Sequence, residues 1–421
     1  MASGAASQAT PQSVPAAEVV IDLRAARADP DGLRAALGRK GAAEAFDELL
    51  AADARWRELV PKVDELRSRQ KIQGKPTPEQ VEELKEVKDE LRQLEAELAE
   101  AEKARDELLQ KVPNPPHKSV PDEEQEDAEG AVERVVGERP GLADPPEHLE
   151  LGRFEMERAA RVSGTRFGYV VGSTALLALA LYRWALDRAV TAGFTPVLPP
   201  VLVREEAMYG TGFFPAEKNE YYEIGEDGLY LTGTSEVALA GLHMGEILGA
   251  DELPLRYTAF STNFRREAGA AGRDTRGMFR VHQFNKVELF AYTLPDASWE
   301  EYERILELEE ANVKELGLPY RVVNIAAGEL SAAAAKRYDI EAWFPSQERY
   351  REITSASNTT DFQARRLGVR FKRNGSTEHV HTMNGTAVTD RWALAILENF
   401  QGDVPDVLRE YGAPAEIRPG T

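Results

Sequence analysis

Two stretches of the chain carry apolar residues at alternating steps of three and four, and this seven-residue rhythm constrains the fold more than any other feature. The repeating positions are Leu49, Ala52, Trp56, Leu59, Val63, Leu66 and Gln70 in the first stretch, and Leu84, Val87, Leu91, Leu94, Leu98 and Ala101 in the second. Such a rhythm is typical of the seam of a coiled coil. Between the stretches, Gly74 can end one helix, and Thr77, followed by Pro78, can begin the next. The sequence therefore predicts a projecting antiparallel helical hairpin, with limbs of roughly 30 residues that are about 45 Å long.

The predicted arm carries its positive charge on the outgoing limb and at the tip, whereas the returning limb is net acidic. The basic residues are Arg55, Arg57, Lys62, Arg67, Arg69, Lys71 and Lys75. One interpretation is a solvated coiled-coil surface whose charges pair with one another, and another is a surface that holds the phosphate backbone of a nucleic acid. The formal net charge of the whole chain, −21, argues against non-specific adhesion to nucleic acid, so any contact with phosphates is expected to be local.

The composition excludes several classes of protein. A chain of 421 residues with 42% hydrophobic residues has enough apolar material for two or three folded domains. No apolar run reaches the roughly 18 residues that a membrane-spanning helix needs, and the absence of cysteine excludes disulfides, thiolate zinc sites and cysteine nucleophiles. Residues 1–17 lack the basic and apolar regions of a secretory signal. We therefore expect a protein that works in the cytoplasm and has no membrane partner.

Changes in composition divide the sequence into four regions. Residues 1–18, rich in Ala, Ser and Pro, are interpreted as a flexible N-terminal extension, and residues 19–118 as the helical arm. Residues 119–148 are interpreted as an acidic linker, because seven of the ten residues from 121 to 130 are Asp, Glu or Gln. Residues 149–421 alternate strand-like and helical segments, which indicates an antiparallel sheet flanked by helices. The predicted fold class is therefore α+β with an N-terminal coiled-coil arm.

Within residues 149–421, alternation of apolar residues and helical periodicity locate the predicted elements. Strands are predicted at 197–203, 229–231, 257–265, 279–292, 320–325 and 350–355, and helices at 174–192, 235–248, 299–316 and 391–399. His379 and His381 are interpreted as loop residues rather than metal ligands, because the residues around them lack the spacing of a metal site.

The densest group of polar residues lies in two strand-like runs on either side of a Gly-rich loop, between residues 263 and 288. Since alternate residues of a strand face one side, the predicted face carries Arg280, His282, Phe284, Lys286 and Glu288, with Phe264 and Arg265 or Arg266 opposite. Guanidinium groups bind phosphate oxygens, an aromatic ring stacks on a base, and a carboxylate orients a cationic group. The group therefore suits a nucleoside triphosphate, although a salt-bridged surface hairpin is the simpler alternative. His282 is interpreted as a hydrogen-bonding residue of the sheet rather than a catalyst.

This run resembles motif 2 of the class II aminoacyl-tRNA synthetases, in the form found in the seryl-tRNA synthetase family. Further similarities are found along the chain. Residues 193–200 resemble motif 1, and Thr234-Ser235-Glu236 resembles the family's serine-binding element. Glu352-Ile353-Thr354-Ser355, together with residues 362–366, resembles the ATP and metal strand, and Asn384-Gly385-Thr386, together with Arg391, resembles motif 3. The helical hairpin is similar to the N-terminal arm with which this family recognises the long variable arm of its tRNA. The resemblance extends from Ile21 to the C-terminus and implies a homodimeric enzyme with a class II catalytic domain at 149–421.

The resemblance implies a two-step reaction in which L-serine and ATP form seryl-adenylate and the seryl group then passes to the 3′ end of tRNA(Ser), and possibly of tRNA(Sec). It implies Arg265, Arg391 and Glu352 as catalytic residues. The residues that the resemblance implies for ATP binding are Arg265, Arg266, Glu267, Arg280, Val281, Phe284, Glu352, Ile353, Thr354, Ser355 and Arg391. Those implied for serine binding are Thr234, Ser235, Glu236, Arg265, Glu288 and Thr386, and the implied Mg²⁺ ligands are Glu352 and Ser355. Those implied for tRNA binding are Arg55, Lys62, Arg67, Arg69, Lys71 and Lys75. Within these sets, the resemblance implies that Arg265 holds the α-phosphate, Phe284 stacks on adenine and Thr386 contacts the serine hydroxyl.

Two alternatives remain open. Asp390, beside the motif 3 arginine, is unusual and is expected to weaken the hold of Arg391 on phosphate; with the acidic linker, it suggests a paralogue of the synthetase that serves secondary metabolism or provides resistance to an inhibitor. The other alternative is a non-catalytic protein that uses the coiled coil as its working surface. Such a protein is expected to lose its phosphate-binding arginines, yet Arg265, Arg280 and Arg391 are all present. The set of motifs therefore favours the synthetase.

Overall fold

The computed structural model describes residues 21–70, 77–125, 127–268 and 277–418. As predicted, the described fold is α+β, with a helical arm that precedes a body built on one large, mainly antiparallel sheet. The predicted extension at 1–18, the basic residues Lys71 and Lys75, and the Gly-rich part of the motif 2 loop at 269–276 lie outside the described residues.

The arm is an antiparallel pair of long helices on a small helical base. Its helices are α1 (Leu23–Ala28), α2 (Pro30–Gly38), α3 (Ala43–Arg69) and α4 (Pro78–Lys111). Along the pair, Val63 and Leu66 of α3 are buried with Val87 and Leu91 of α4, and all four belong to the predicted seam. A separate apolar cluster joins α1, α2, the start of α3 and the end of α4. The heptad prediction is therefore confirmed.

Two aspartates set the start of the base helices. The Asp22 carboxylate accepts a hydrogen bond from the backbone N–H of Arg24 at 2.8 Å, and the Asp29 carboxylate accepts one from Gly32 at 3.0 Å. Pro30 occupies the first turn of α2, where its missing N–H costs nothing. Asp22 and Asp29 therefore cap α1 and α2, and the chain breaks between the two helices at Asp29-Pro30.

The body contains sixteen described strands and nine described α-helices, numbered on from the arm. The strands are β1 (Gly130–Val136), β2 (Phe154–Glu155), β3 (Tyr169–Val170), β4 (Thr195–Val197), β5 (Leu202–Arg204), β6 (Glu223–Ile224), β7 (Leu229–Leu231), β8 (Ile247–Gly249), β9 (Leu255–Phe264), β10 (Gln283–Thr293), β11 (Tyr320–Ile325), β12 (Lys336–Phe344), β13 (Arg349–Thr360), β14 (Arg370–Arg373), β15 (Ser376–His379) and β16 (His381–Thr389). The helices are α5 (His148–Leu151), α6 (Met156–Ser163), α7 (Ser173–Thr191), α8 (Glu205–Gly210), α9 (Glu236–Ala240), α10 (Ser298–Leu316), α11 (Phe362–Leu367), α12 (Asp390–Phe400) and α13 (Asp406–Arg409).

Eight strands form the main sheet in the order β1-β11-β12-β13-β16-β10-β9-β4. All neighbours are antiparallel except β4, which lies parallel to β9. Helices α7, α10 and α12 pack against this sheet, and Trp184, Tyr302 and Trp392 are fully buried between the layers. Because successive side chains of a strand point to opposite faces, the same strands also present residues away from this core. Those residues build the site described below.

Several predicted elements are correct in type and differ in extent. The strands at 229–231 and 320–325 and the helices at 174–192, 299–316 and 391–399 lie within one residue of the observed bounds. The strand predicted at 197–203 is wrong over most of its length, because Pro199 and Pro200 separate β4 from β5 and offer no N–H to a ladder. The helix predicted at 235–248 ends at Ala240, since Gly241 and Gly245 follow and the chain then enters β8.

Three strands of the main sheet were not among the predicted elements. Strand β1 lies inside residues 119–148, where we expected only an acidic linker, and pairs with β11 at the edge of the sheet. Its outer edge meets water, which permits charged residues there. Strands β12 and β16 mix polar and apolar residues without a regular alternation, and β16 is central to the sheet, with seven of its nine residues buried. His379 and His381 therefore lie on β15 and β16, which corrects the loop interpretation.

Candidate active site

A one-residue bulge in β13 brings Glu352 and Ser355 to the same face of the sheet. Across the strand pair, Ile340 is opposite Thr354 and Glu341 is opposite Glu352, which leaves Ile353 as the extra residue. In a regular strand, residues three apart point to opposite faces, and the extra residue reverses that parity. Ile353 and Thr354 are accordingly buried, whereas Glu352 and Ser355 are partly exposed and line the same cavities.

A second bulge, in β16, sets the position of Thr386. Val287 and Glu288 of β10 are opposite Val388 and Thr386, so Ala387 is the extra residue. The Thr386 N–H donates to a carboxyl oxygen of the buried Glu309 at 2.7 Å, and the Thr354 hydroxyl donates to the Thr386 carbonyl oxygen. Burial raises the pKa of Glu309 well above its usual value, which favours the neutral acid. Glu309 of α10 and Thr354 of the neighbouring strand β13 therefore hold the backbone of Thr386 at the bulge.

The first of two adjoining cavities, here called the arginine compartment, is an open cleft with about 690 Å³ of empty space. It is lined by all the predicted ATP-binding residues except Arg266. The Arg391 guanidinium donates to the Glu352 backbone carbonyl at 3.0 Å and to its carboxylate at 3.2 Å. The Arg265 guanidinium carbon lies 5.3 Å from the Phe284 ring centroid, and Arg280 forms an ion pair with Glu267. The compartment therefore combines three guanidinium groups with an aromatic surface.

The electrostatics of this compartment keep Glu352 ionised. Burial alone raises the pKa of the Glu352 carboxyl, but the charges of Arg391, Arg337 and Arg265 outweigh burial and hold the pKa below its usual value. Asp390, which also lines the compartment, does not act on Arg391 as expected. Its carboxylate instead accepts hydrogen bonds from the Asn285 backbone N–H at 2.9 Å and from the Tyr182 hydroxyl.

The second cavity, the carboxylate compartment, is lined by all the predicted serine-binding residues except Ser235. The Thr234 hydroxyl donates to the Glu288 carboxylate at 3.0 Å and accepts from the Lys286 ammonium at 2.7 Å. Glu236 accepts from the Gln363 amide at 2.7 Å. Burial and the charge of Glu288 raise the pKa of Glu236 to about 7. Glu236 and Glu288, a pair of buried carboxylates beside the Lys286 ammonium, suit a small ligand that carries its own ammonium group.

The two compartments meet along one shared wall. Five residues line both cavities: Arg265, Lys286, Glu352, Ser355 and Thr386. An anionic ligand among the arginines and a cationic ligand among the carboxylates would therefore touch at Arg265 and Glu352. Such proximity is what a reaction between two bound substrates requires.

Two predicted residues lie away from the compartments, and several residues with no predicted binding role lie in them. Ser235 is buried at the start of α9, and Arg266 stacks over Tyr222 at 5.9 Å. The lining also includes Lys286, Arg337 and Asn384, to which no binding role had been assigned. Alternation had already placed Lys286 on the predicted face with Phe284 and Glu288, and Asn384 belongs to the run that resembles motif 3. Arg337 could not have been found, because its strand, β12, had not been predicted.

The predicted tRNA-binding residues that the structure describes lie on the surface of α3 and pair with carboxylates. Arg55, Arg67 and Arg69 reach Glu97, Glu95 and Glu83 of α4 at 3.0, 2.9 and 3.5 Å, and Lys62 reaches Glu58 at 2.6 Å. Each basic side chain stays about half exposed. These contacts fit the interpretation of pairing charges, and they leave one side of each cation open to a further partner. In the described part of the chain, no helix has both the length and the apolar character to cross a bilayer.

Comparisons with protein families match both parts of the chain. Residues 20–116 match the seryl-tRNA synthetase N-terminal domain, and residues 220–400 match the tRNA synthetase class II core domain (G, H, P, S and T). Serine–tRNA ligase of Thermobifida fusca is 46% identical over 95% of this chain and 99% of its own length. Serine–tRNA ligase of Streptomyces coelicolor is 45% identical over 94% of this chain and 99% of its own length. The specialised-paralogue alternative finds no support in these matches.

Solved structures agree with these relatives. Seryl-tRNA synthetase from Pyrococcus horikoshii, complexed with ATP, superposes with a TM-score of 0.89 and 39% identity over 95% of this chain and 100% of that chain. The cytoplasmic serine–tRNA ligase from Naegleria fowleri, in complex with AMP, superposes with a TM-score of 0.84 and 32% identity over 93% of this chain and 96% of that chain. The chain therefore belongs to the seryl-tRNA synthetase family, the serine–tRNA ligases among the class II aminoacyl-tRNA synthetases.

Proposed function

We propose that this serine–tRNA ligase binds ATP in the arginine compartment and L-serine in the carboxylate compartment, and joins them at the shared wall. The serine carboxylate attacks the α-phosphorus of ATP, the bond to the bridging oxygen breaks, and pyrophosphate leaves. A ribose hydroxyl at the 3′ end of tRNA(Ser) then attacks the carbonyl carbon of seryl-adenylate, and AMP leaves. The observation that carries this proposal is that Arg265 and Glu352 line both cavities.

The arginines supply the charge that this reaction needs. Negative charge builds on the α-phosphate and on the departing pyrophosphate, and fixed guanidinium groups stabilise it without reorganisation. Arg265 is placed at the junction for the α-phosphate and the serine carboxylate, while Arg280 and Arg391 line the deeper arginine compartment for the distal phosphates. Phe284 offers its ring to the adenine. The serine carboxylate is already a nucleophile, so the first step needs no general base.

Glu352 and Ser355 fit a Mg²⁺ ion that accompanies ATP. The β13 bulge presents a carboxylate and a hydroxyl on one face, and both are hard oxygen donors. The pKa of Glu352 is held low, so its carboxylate is ionised. Among the described residues, no group of three or more His, Asp or Glu could hold a metal ion by itself. Two protein ligands with phosphate oxygens and waters are the usual arrangement for Mg²⁺, which neutralises phosphate charge.

The carboxylate compartment selects serine through groups that need a hydroxyl and an ammonium. Glu236, Glu288 and Thr234 receive the ammonium, and Thr386, fixed by Glu309 and Thr354, receives the hydroxyl. Alanine leaves the hydroxyl-binding group unpaired, which costs about 1–3 kcal/mol. Threonine carries one more methyl group, so its rejection has to come from steric exclusion in this compartment.

The arm and an apolar surface are the proposed binding surfaces for the larger partners, tRNA and a second subunit. The half-exposed cations of α3 suit the long variable arm of tRNA(Ser), and of tRNA(Sec) by the same backbone contacts, while the acceptor end enters the catalytic body. Leu176 and Leu179 of α7 are 50% and 60% exposed, and Leu198 beside β4 is 89% exposed. An apolar surface of this kind suits a homodimer interface. The cytoplasm is the compartment where such an enzyme meets its tRNA.

Exchange of pyrophosphate into ATP, measured with serine, threonine, alanine or cysteine, tests the proposal. We expect exchange with serine, without tRNA, and its loss when Mg²⁺ is withheld. Arg265→Gln should lower the rate by about 100-fold or more, because it removes charge stabilisation at the reacting phosphate. Arg266→Gln is the matched control, because the neighbouring side chain lines neither compartment. Equal losses in both variants, or no exchange with any amino acid, would contradict the assignment.

A further inference from the structure

The wall of the carboxylate compartment is built partly on the end of the arm. After α4, the backbone N–H groups of Asn114 and His117 donate to the carbonyl oxygens of Ala332 and Ala335 at 2.7 and 2.8 Å. The buried Asn114 side chain donates to the carbonyl oxygens of Ala333 and Thr359 at 2.9 and 2.8 Å. Ala333 and Thr359 both line the compartment. The segment that closes the arm thus supports the compartment from outside.

The Lys40 side chain joins the end of the arm to the segment 331–334. It lies in the turn between α2 and α3, and its ammonium donates to the carbonyl oxygens of Ser331, Asn114 and Ala334 at 2.7, 3.1 and 3.1 Å. An ammonium group has three N–H donors, and the three carbonyls use all of them. Ser331, like Ala333, lines the carboxylate compartment. A single side chain from the base of the arm therefore holds both ends of the segment 331–334.

The surroundings of Lys40 show that it serves hydrogen bonding rather than ion pairing. Among the described residues, no carboxylate lies within ion-pair distance of its ammonium. Burial without such a partner lowers the pKa of Lys40 to about 7. A neutral amine still donates two hydrogen bonds, so Lys40 joins the arm to the segment 331–334 in either protonation state.

We propose that Lys40, with Asn114, is a positioning residue for serine: it fixes the 331–334 wall of the carboxylate compartment to the base of the arm. The inference rests on the proposed binding of serine in that compartment. Lys40 touches no substrate and acts through the backbone of Ser331 and Ala334. The base of the arm therefore contributes to serine affinity even when no tRNA is bound.

Pyrophosphate exchange without tRNA provides the test. Lys40→Met keeps an unbranched side chain one atom shorter and removes its hydrogen-bond donors, so the 331–334 wall loses its anchor. We expect KM for serine to rise about three- to tenfold, with KM for ATP changed less than twofold. Asn114→Ala, which removes the other anchor, should produce the same pattern and serves as the second variant if Lys40→Met does not fold.

Arg39→Met is the matched control, because the adjacent Arg39 also contacts the segment that closes the arm but does not contact the 331–334 wall. Its guanidinium donates to the carbonyl oxygens of His117 and Val120 and pairs with Asp122, none of which lines the compartment. Arg39→Met should leave KM for serine unchanged. An equal rise in Arg39→Met and Lys40→Met would overturn the proposal in favour of a general role in stability, and an unchanged KM in both Lys40→Met and Asn114→Ala would overturn it directly.

Glu236→Gln separates this proposal from the assignment of the compartment. If Glu236→Gln raises KM for serine and Lys40→Met does not, serine binds where proposed and only the positioning role fails. If Glu236→Gln also leaves KM for serine unchanged, serine binds elsewhere and both proposals fail.

Discussion

Glu236 carries a charge that depends on pH in the range where the enzyme works. Burial and the neighbouring Glu288 carboxylate raise its pKa to about 7, and only the ionised form pairs with a serine ammonium. Between about pH 6 and pH 8 the ionised fraction rises, so we expect KM for serine to fall by up to about tenfold. Glu236→Gln removes this titration and should give a high KM that stays constant with pH. Initial rates of exchange across this range measure both, and a wild-type KM that does not change contradicts the role of Glu236.

Asp390 gives a prediction about stability rather than activity. Burial raises its pKa to about 7, so between about pH 4 and pH 7 the folded protein keeps a proton that the unfolded chain has released. The free energy of unfolding therefore falls as pH rises through this range, and the cost of the buried charge is complete above pH 7. Asp390→Asn accepts the same N–H of Asn285 and does not titrate.

The melting temperature tests whether stability falls as the pH rises. From about pH 5 to pH 8, the wild-type Tm should fall relative to that of Asp390→Asn, because only the wild type must bury a charge as the pH rises. Asp406, whose side chain is 89% exposed, provides the control: Asp406→Asn should follow the wild type at every pH. A constant difference between the wild type and Asp390→Asn would show that Asp390 does not titrate in the folded protein.

At the level of elements, the periodicity of the sequence predicted most of the fold but little of the exact geometry of the site. The heptads located both limbs of the arm, and the helices predicted at 174–192, 299–316 and 391–399 lie within one residue of the observed bounds, because their apolar faces must be covered. The bulges at Ile353 and Ala387 were not visible in the sequence, since a bulge is defined by its partner strand. The partner for Ile353 is β12, which had not been predicted, and the partner for Ala387 is β10, which lies far from β16 along the chain. The resemblance to a family supplied Glu352 and Ser355 as a pair, and the bulge explains why residues three apart can act together.

The arm offers a prediction that separates its two interpretations. Arg67 and Arg69 pair with Glu95 and Glu83 of the other limb, and these cations remain half exposed. If they also contact the tRNA backbone, the double variant Arg67→Gln with Arg69→Gln should weaken tRNA binding by about tenfold and flatten its dependence on salt. Pyrophosphate exchange without tRNA should not change. Filter binding at several salt concentrations measures the affinity and its slope.

The partner carboxylates provide the control for the arm. Glu95→Gln with Glu83→Gln breaks the same two pairs from the acidic side and leaves both arginines in place. We expect this variant to bind tRNA at least as well as the wild type, because it removes negative charge from the arm. Equal weakening in the two double variants would show that the pairs stabilise the coiled coil and that the cations do not contact tRNA.

At the scale of the whole molecule, one sheet connects the parts that the reaction needs. Strand β4 at one edge follows the exposed Leu176 and Leu179 of α7, and β4 pairs with β9, which pairs with β10 and its lining residues Lys286 and Glu288. The base of the arm meets the same site through Lys40. The dimer-side edge is thus joined to the compartments by paired backbone, and the base of the arm by the Lys40 side chain.

For the proposed homodimer, this connection predicts that pairing of the two subunits is a condition for activity. Leu179→Asp and Leu198→Asp place a charge on the exposed apolar surface, which a paired interface cannot bury without cost. We expect each variant to sediment as a monomer where the wild type sediments as a dimer. Serine-dependent exchange should fall about tenfold or more in the monomers, because β4 loses its support at the edge of the sheet.

Val135→Asp is the control for this prediction. Val135 is 56% exposed on β1, at the edge of the sheet opposite β4, so the same charge is added to the same sheet far from the proposed interface. This variant should remain dimeric and active. If Leu179→Asp and Leu198→Asp also remain dimeric, the apolar surface of α7 and β4 is not the interface. If they become monomers and keep full exchange activity, each subunit holds its site without help from a partner, and the sheet does not transmit the loss of its edge.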